Sequence, residues 1–424
     1  MSKSQHAECG TWPSDNLPSS WEWAEFEDFF YDRTNSIKKI QKKDYCEFGE
    51  YPIIDQGNEL IGGYSNAREK VAQTSLPCIV WGDHTRCIKY LTQEFIQGAD
   101  GVKVLEPSPA IDPRFSYLAM LCVTLPNKGY SRHFKFLKAT IFPVPPLAEQ
   151  RRIVAKLDSL TACIARARAE LERVRKLTPV LRDKALVTAF NGNLLIFSKS
   201  EPAAWITKPF GEVGEIASNL VPPEEIENLP HIAPNHIRSG IPGAEGFKTI
   251  SEDKVISAKN RFFAGQIIYS KIRPNLRKVA LVDFEGGCSA DMYPINARCN
   301  AKYLMYWLLS PQFTNMATKS DGRTVLPKIN QKALNAIPTP VAPIELQKAI
   351  ALTLDKVFER SKRFETESQR ALTLLDRLES SLLAKAFRGE LVPQNPNDEP
   401  ASVLLDRIRT ERAAAPKPKR KRKA

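Results

Sequence analysis

Within eight residues of this 424-residue chain, Lys271, Arg273, Asn275, Arg277 and Lys278 set four cations and an amide directly behind the apolar run Gln266-Ile267-Ile268-Tyr269. Lysines neutralise phosphates, while arginine and asparagine form paired hydrogen bonds with guanine and adenine edges, so the stretch has the chemistry of a polynucleotide contact. A solvated charged turn, broken by Pro274, is the plainer alternative. His84 and Arg86 pose the same choice behind Gly82-Asp83, where Asp83 can cap the turn through its own carboxylate. Arg132 and Arg323 each precede a region that the chain contains twice, and are equally open to facing a phosphate backbone or being ordinary surface residues.

Catalytic chemistry is harder to find. A methyltransferase needs a glycine motif for adenosylmethionine and an Asn/Asp-Pro-Pro-aromatic motif for a flipped base, and neither occurs. There is no G-x-x-x-x-G-K-[ST] to cradle a triphosphate. Asp283-Phe284-Glu285 lacks a lysine at nuclease-like spacing and reads as a surface turn. Eight scattered cysteines form no C-x-x-C pair and no zinc pattern with histidine, so they read as reduced structural thiols. A binding protein without its own cofactor or metal is the expectation.

The formal charge of +13 includes six cations, Lys417, Lys419, Arg420, Lys421, Arg422 and Lys423, in a Pro- and Ala-rich tail. The remaining +7 still favours a polyanionic partner. The tail itself reads as disordered, with a steeper salt dependence of binding as its effect. No apolar run is long enough for a membrane, and the amino terminus has no signal-peptide core, so a cytoplasmic protein is expected.

The elements that must carry these residues are announced by a duplication. Pro143-Val144-Pro145-Pro146-Leu147-Ala148-Glu149-Gln150 returns as Pro340-Val341-Ala342-Pro343-Ile344-Glu345-Leu346-Gln347, a constant offset of 197 positions that continues ungapped to Ala189-Phe190-Asn191-Gly192 and Ala386-Phe387-Arg388-Gly389. Inside the first copy, Ile153, Leu157, Leu160, Ile164, Ala167, Leu171 and Val174 recur in steps of four and three. The second copy places Ile350, Leu354, Val357, Ser361, Phe364, Ser368, Ala371, Leu375 and Leu378 at the same spacing. Such a stripe predicts two long amphipathic helices that share one seam. At about 1.5 Å per residue, Ile344 to Phe387 would extend roughly 65 Å as a rigid spacer. Pro179 predicts a kink or break in the first copy, the leading prolines an extended approach, and Gly192 and Gly389 left-handed helix caps.

Between the copies lie two variable segments of a different texture, short apolar runs cut by Gly62-Gly63, Gly82-Asp83 and Gly286-Gly287, which predict short strands and turns. They share little sequence but begin at similar landmarks, Trp23 and Trp205, and later carry Tyr117-Leu118 and Tyr303-Leu304 in helical stretches.

With its P-x-P-P-L-x-E-Q segment, its A-F-x-G-x-L helix ending and two intervening variable segments, nearly the whole chain resembles the specificity subunit of Type I restriction-modification systems. Ala342 and Leu346 depart from the pattern in the second copy. Gly82 to Arg86, Gly98 to Lys103, Tyr269 to Lys278 and Cys288 to Met292 also look like recognition-domain motifs, which adds Lys103 to the candidate contacts. The resemblance implies an α+β fold in which two mixed α/β target recognition domains are separated by two long helices forming an antiparallel coiled coil with pseudo-two-fold symmetry. The boundaries expected are a polar leader over 1–19, recognition domains over 20–142 and 203–339, helical spacers over 143–202 and 340–395, and a disordered basic tail over 396–424. It further implies a bipartite, asymmetric double-stranded DNA target and a non-catalytic chain. Two modification subunits would bind S-adenosylmethionine and methylate adenine, and motor-nuclease restriction subunits would use ATP and Mg²⁺. The alternatives are a coiled-coil scaffold that binds only proteins and a subunit that serves methylation alone.

Overall fold

In the computed structural model, residues 10–127, 129, 131–191, 205–319 and 327–414 are described. The chain divides into two compact units, Met1–Arg168 with Thr373–Ala424, and Ala169–Leu372.

The first unit begins with β1 (Glu22–Ala24), α1 (Phe26–Phe29), β2 (Phe30–Asp32), β3 (Tyr51–Ile54), β4 (Gly63–Ser65), β5 (Cys78–Gly82), β6 (Ile88–Leu91), β7 (Ile96–Gln97) and β8 (Val102–Pro107). It continues through α2 (Pro113–Cys122), α3 (Phe134–Lys138) and β9 (Phe142–Val144) into α4 (Leu147–Phe190). The main sheet runs β2-β8-β5-β6 and a smaller one β4-β3-β7, while β1 pairs with β9 so that the domain closes where it opened. Strand β5 explains why two cores exist. Alternate side chains leave opposite faces of a strand, so Ile79 and Trp81 enter the core shared with the helices, while Cys78 and Val80 enter one beneath the loops.

The second unit repeats the plan with β10 (Ile206–Pro209), α5 (Phe210–Val213), β11 (Gly214–Ile216), β12 (Leu220–Val221), β13 (His231–Ile232), β14 (Lys259–Phe262), β15 (Ile267–Ser270), β16 (Val279–Leu281), β17 (Gly286–Cys288) and β18 (Met292–Ala297). Then follow α6 (Ala301–Leu309), α7 (Pro311–Lys319), α8 (Gln331–Asn335), β19 (Pro338–Val341), α9 (Ile344–Phe387) and α10 (Ala401–Ala414), the last belonging to the first unit. Its main sheet, β11-β18-β15-β16, matches β2-β8-β5-β6 strand for strand, and β10 closes on β19. Strand β15 also serves two cores, Ile267 and Tyr269 on one side and Ile268 on the other.

Helices α4 and α9 lie within the stretches 143–202 and 340–395 expected to be helical, and each is divided between the two units. In the first unit Ile153 and Leu157 share a core with Leu382, Leu383, Ala386 and Phe387, and Arg168 bonds Asp376 and Glu379. In the second, Leu186, Ala189 and Phe190 share a core with Ile350, Leu354 and Phe358, and Arg182 bonds Glu365 at 2.6 Å. Start meets end in both, the antiparallel sense.

The seam itself differs from the expected stripe. Ile153, Leu157, Ile164, Ile350 and Leu354 are buried and Leu160, Leu171, Val357 and Leu375 half-buried, but Val174, Phe364 and Leu378 are exposed. The buried row of α9 runs Leu354, Phe358, Ser361, Ser368 and Leu372, one residue off the expected stripe at every second position. The reason is chemical: this part of the seam is polar, with Thr178, Arg182, Ser361 and Ser368 buried, so an apolar pattern does not trace it.

Helix α4 passes through Pro179 without ending, and the buried Thr178 hydroxyl donates to the Val174 carbonyl at 2.8 Å beside it. Of the kink or break expected there, the break does not occur. Gly389 takes φ +74°, with Glu390 N–H donating to Lys385 O at 3.0 Å, the left-handed cap expected; Gly192 lies outside the described residues. The tail expectation is corrected from 396 to 414. Helix α10 buries Ala401, Leu404, Leu405 and Ile408 in the first unit's core, because these four apolar residues on one face outweigh the charges between them. Residues 415–424 lie outside the described residues.

Candidate nucleic-acid interface

Matching the main sheets makes β5–β6 and β15–β16 the same hairpin. Its loop is Asp83–Cys87 in the first domain and Lys271–Lys278 in the second. Two clusters singled out by residue type alone therefore stand at equivalent places.

In the first domain the loop is short and tied down. Gly82 N–H donates to Cys87 O and Arg86 N–H to Gly82 O, and Arg86 adopts φ +60°. Gln56, from the turn after β3, accepts from His84 N–H through Oε1 at 3.3 Å and from the Thr85 hydroxyl through its own carbonyl at 2.7 Å, while its Nε2 donates to Asp100 O at 3.1 Å. Gly82 and Gly101 face Gln56 so closely that a Cβ at either would stand under 3 Å from its atoms. Gln56 is the residue that type and spacing missed, since one glutamine in a turn carries no sequence signal.

Asp83 is buried, and its carboxylate accepts from Phe134 N–H at 2.8 Å while its carbonyl accepts from His133 N–H at 3.0 Å. That holds the segment carrying exposed Arg132 against the hairpin. Lys103 lies opposite Trp81 in the sheet with its ammonium 4.7 Å from the Phe134 ring centre. His84, Arg86, Lys103 and Arg132 are thereby brought to one end of the first domain.

The longer second loop divides its candidates. Arg273 and Asn275 are exposed, with Arg273 at φ +47° and its N–H donating to Pro327 O at 2.7 Å. Lys271 lies 5.0 Å from the Tyr293 ring centre; burial, and then the like charge of Lys328, hold its ammonium below the usual lysine value. Arg277 and Lys278 have partners within the same unit. The Arg277 guanidinium grips Asp183 of α4 through both oxygens, at 2.5 and 3.2 Å, and Lys278 Nζ donates to Pro234 O at 2.5 Å. Both cations sit beside polar partners within the unit, where a paired hydrogen bond outweighs free hydration. Arg323 lies outside the described residues.

The repeated segments mount each domain identically. Gln150 Oε1 accepts from Asp112 N–H at 2.8 Å and its Nε2 donates to Pro145 O; Gln347 Oε1 accepts from Asn300 N–H at 2.9 Å and its Nε2 donates to Ala342 O. Asp112 and Asn300 are the N-caps of α2 and α6. Counting from those caps sets Tyr303 opposite Phe115, two positions from the Tyr117 landmark. Phe387 packs on Phe115 at 5.2 Å between ring centres, and Phe190 on Tyr303 at 5.2 Å and Trp307 at 5.1 Å. The duplicated glutamine and Ala-Phe pair are thus mounting hardware.

Among the described residues no group of three or more His, Cys, Asp or Glu side chains could hold a metal ion, and no helix is long and apolar enough to cross a membrane. Burial pushes the thiols of Cys78, Cys122 and Cys288 up to about 12. They are inert at neutral pH.

A family model described as the Type I restriction modification DNA specificity domain matches residues 18–176 and 202–374. The chain is 39% identical over 313 residues to the Type I restriction enzyme EcoDI specificity subunit of Escherichia coli, covering 66% of this chain and 70% of that one. It is 25% identical over 345 residues to the EcoR124I/EcoR124II specificity subunit of the same species, covering 75% and 81%. In fold it resembles a chain of a type I R-M system solved for its complex assembly and conformational transition, at TM-score 0.64 and 19% identity over 89% of this chain and all of that one. It also resembles the HsdS subunit from Thermoanaerobacter tengcongensis, at TM-score 0.54 and 18% identity over 89% of this chain and 98% of that one. Two matched domains on one duplicated helical mount, covering most of the sequence, make this chain a member of the Type I restriction-modification DNA specificity family.

Proposed function

We propose that each recognition domain reads one half of a bipartite, asymmetric double-stranded DNA target, the first through the end of the sheet that carries His84, Arg86, Lys103 and Arg132, the second through Lys271, Arg273 and Asn275. One observation carries this reading: the two clusters suited to nucleic-acid contact stand on the same hairpin of two domains that otherwise differ in surface. Arginine and asparagine there supply paired hydrogen bonds for base edges, and lysine the phosphate contact that sets register. Arg323 keeps the candidate role that its charge and position give it.

The chain has no catalytic role in this proposal. It directs two modification subunits, which bind S-adenosylmethionine and methylate adenine, and motor-nuclease subunits that use ATP and Mg²⁺, in the cytoplasm. Both long helices run uninterrupted from one unit into the other, which supports a gap between half-sites governed by helix length. A protein-only scaffold is not favoured, since the matched family is one of DNA specificity.

Mapping methylated adenines in a host carrying the complex tests the reading. Replacing the Lys271–Lys278 loop by another sequence should change one half of the methylated motif and leave the other half and the gap as they were. Adding one helical turn to both α4 and α9 should lengthen the gap alone. A motif that changes in both halves on loop exchange, or a gap indifferent to helix length, would sink it.

A further inference from the structure

The turns that lead into β8 and β18 each carry an aspartate that its own backbone leaves unused. Gly98 N–H donates to Ile54 O and Ser289 N–H to Ile232 O, both at 2.9 Å, just past the parallel pairs Ile54–Gln97 and Ile232–Cys288. Two residues further on stand Asp100 and Asp291. Each turn then enters its strand at the base of a candidate hairpin, Val102 facing Gly82 and Met292 facing Ser270. The first residue of the hairpin loop reaches back to the turn, Asp83 N–H donating to Gly101 O at 2.7 Å and Lys271 N–H to Asp291 O at 3.0 Å. The two aspartates therefore hold the same place beside the two candidate clusters.

An aspartate in a turn ordinarily serves its own backbone by accepting a nearby N–H. Among the described residues no backbone N–H donates to either of these carboxylates. The Asp100 side chain is 94% exposed, with the Lys39 ammonium 4.0 Å away. Asp291 is half-exposed, and Lys328 Nζ lies 3.3 Å from its Oδ1. Lys328 is itself placed by the hairpin, because Arg273 N–H donates to Pro327 O and Ile329 N–H to Lys271 O on either side of it. A carboxylate at a surface that meets phosphates is repelled unless cations outnumber it. Arg86, Lys103 and Arg132 share one end of the first domain with Asp100, and Lys271, Arg273 and Lys328 share that of the second with Asp291. What these cations lack is an acceptor, since lysine and arginine only donate. Every base pair offers one amino group in the major groove, N4 of cytosine or N6 of adenine.

We propose that the carboxylates of Asp100 and Asp291 are acceptors of the two reading surfaces, each taking a hydrogen bond from the amino group of one cytosine or adenine in its own half-site. Lys328, beside Asp291, contacts the neighbouring phosphate. The proposal rests on the DNA-specificity reading above and deepens it, since it names the edge chemistry that each domain selects.

The test uses the full chain assembled with its modification subunits, and duplexes carrying the methylation motif mapped for that complex. Asp291→Ala should relax one base pair in the half read by the second domain and Asp100→Ala one pair in the other half, each with discrimination lowered about tenfold. At the relaxed pair, a base without the amino group, 2-pyrimidinone for cytosine or purine for adenine, should weaken the unaltered complex by about the same factor and the alanine variant not at all, because both changes remove one bond. The base so identified is the one contacted. Lys328→Gln should weaken binding to all sequences evenly and lower the slope of log affinity against log salt by about 0.9, with the motif unchanged. Losses that add when variant and analogue are combined, or a motif indifferent to both aspartates, would overturn the proposal while specific binding still stood. An unaltered complex that yields no bipartite motif would instead bring down the specificity reading on which it rests.

Discussion

The equivalent hairpins β5–β6 and β15–β16 solve one problem in different ways. In the first domain a five-residue loop is steadied from within, by Gln56 reaching across to His84, Thr85 and Asp100. The eight-residue loop of the second is tied to the long helix as well, with Arg277 locked to Asp183 on α4 while Lys278 holds the Pro234 carbonyl of its own domain. Each extra residue of loop raises the entropy of ordering it, and the longer loop recruits a rigid helix to offset that cost. Position on the scaffold is shared, then, while the means of holding a reading surface still is local to each domain.

The comparison is broken most forcefully at what the domains share. Phe387→Ala and Phe190→Ala each remove a buried ring from an aromatic cluster and should cost about 3–5 kcal/mol. Hydrogen exchange should report the loss around α2 for the first variant and around α6 for the second. Equal loss in both units from either variant would contradict the mounts being separate. Next comes the difference between the loops. Arg277→Ala should loosen the second hairpin at a cost of about 1–2 kcal/mol for a partly exposed charge-assisted pair, slowing recognition of one half-site only. Loss of recognition in both halves would show that the helix contact is not local. The smallest effect is present at neutral pH and lost in acid. Burial raises the Glu106 carboxyl, but bonds from Arg33, the Ser75 N–H and the Thr74 hydroxyl outweigh it and hold the group below its ordinary 4.5. Because the folded value is depressed, the stability is fully present above 4.5 and is lost as pH falls through the folded value. Urea unfolding of Glu106→Gln should be less stable than the unaltered chain at neutral pH, the two converging in acid; parallel curves would contradict the assignment.

Much of the architecture is legible in the residues because the duplication repeats its own boundaries. Gln150 and Gln347, and Phe190 and Phe387, recur at one offset, and each pair performs one task. What is not legible is equally physical. The buried row of α9 departs from the expected stripe at Phe358 and Leu372, because between them the seam is made by Ser361, Ser368 and Glu365, which answers Arg182, and leaves no apolar row to follow. Helix α10 hides its buried apolar residues among arginines beside a basic run. Side-chain type singled out the cations of both hairpins, but not which were engaged, since Arg277 and Asp183 lie far apart in the chain. Equivalence of the loops needed the strand order, because five residues and eight do not align.

Gln150 and Gln347 work as identical sockets. Each offers one amide to a domain and grips its own stem with the other end, so the plug needs only a backbone N–H where a helix begins and a closing strand pair at its base. Nothing in that fitting consults the surface that meets DNA. A recognition domain that offers the same N–H and the same closing strand pair should therefore seat on either stem, whatever the rest of its surface carries.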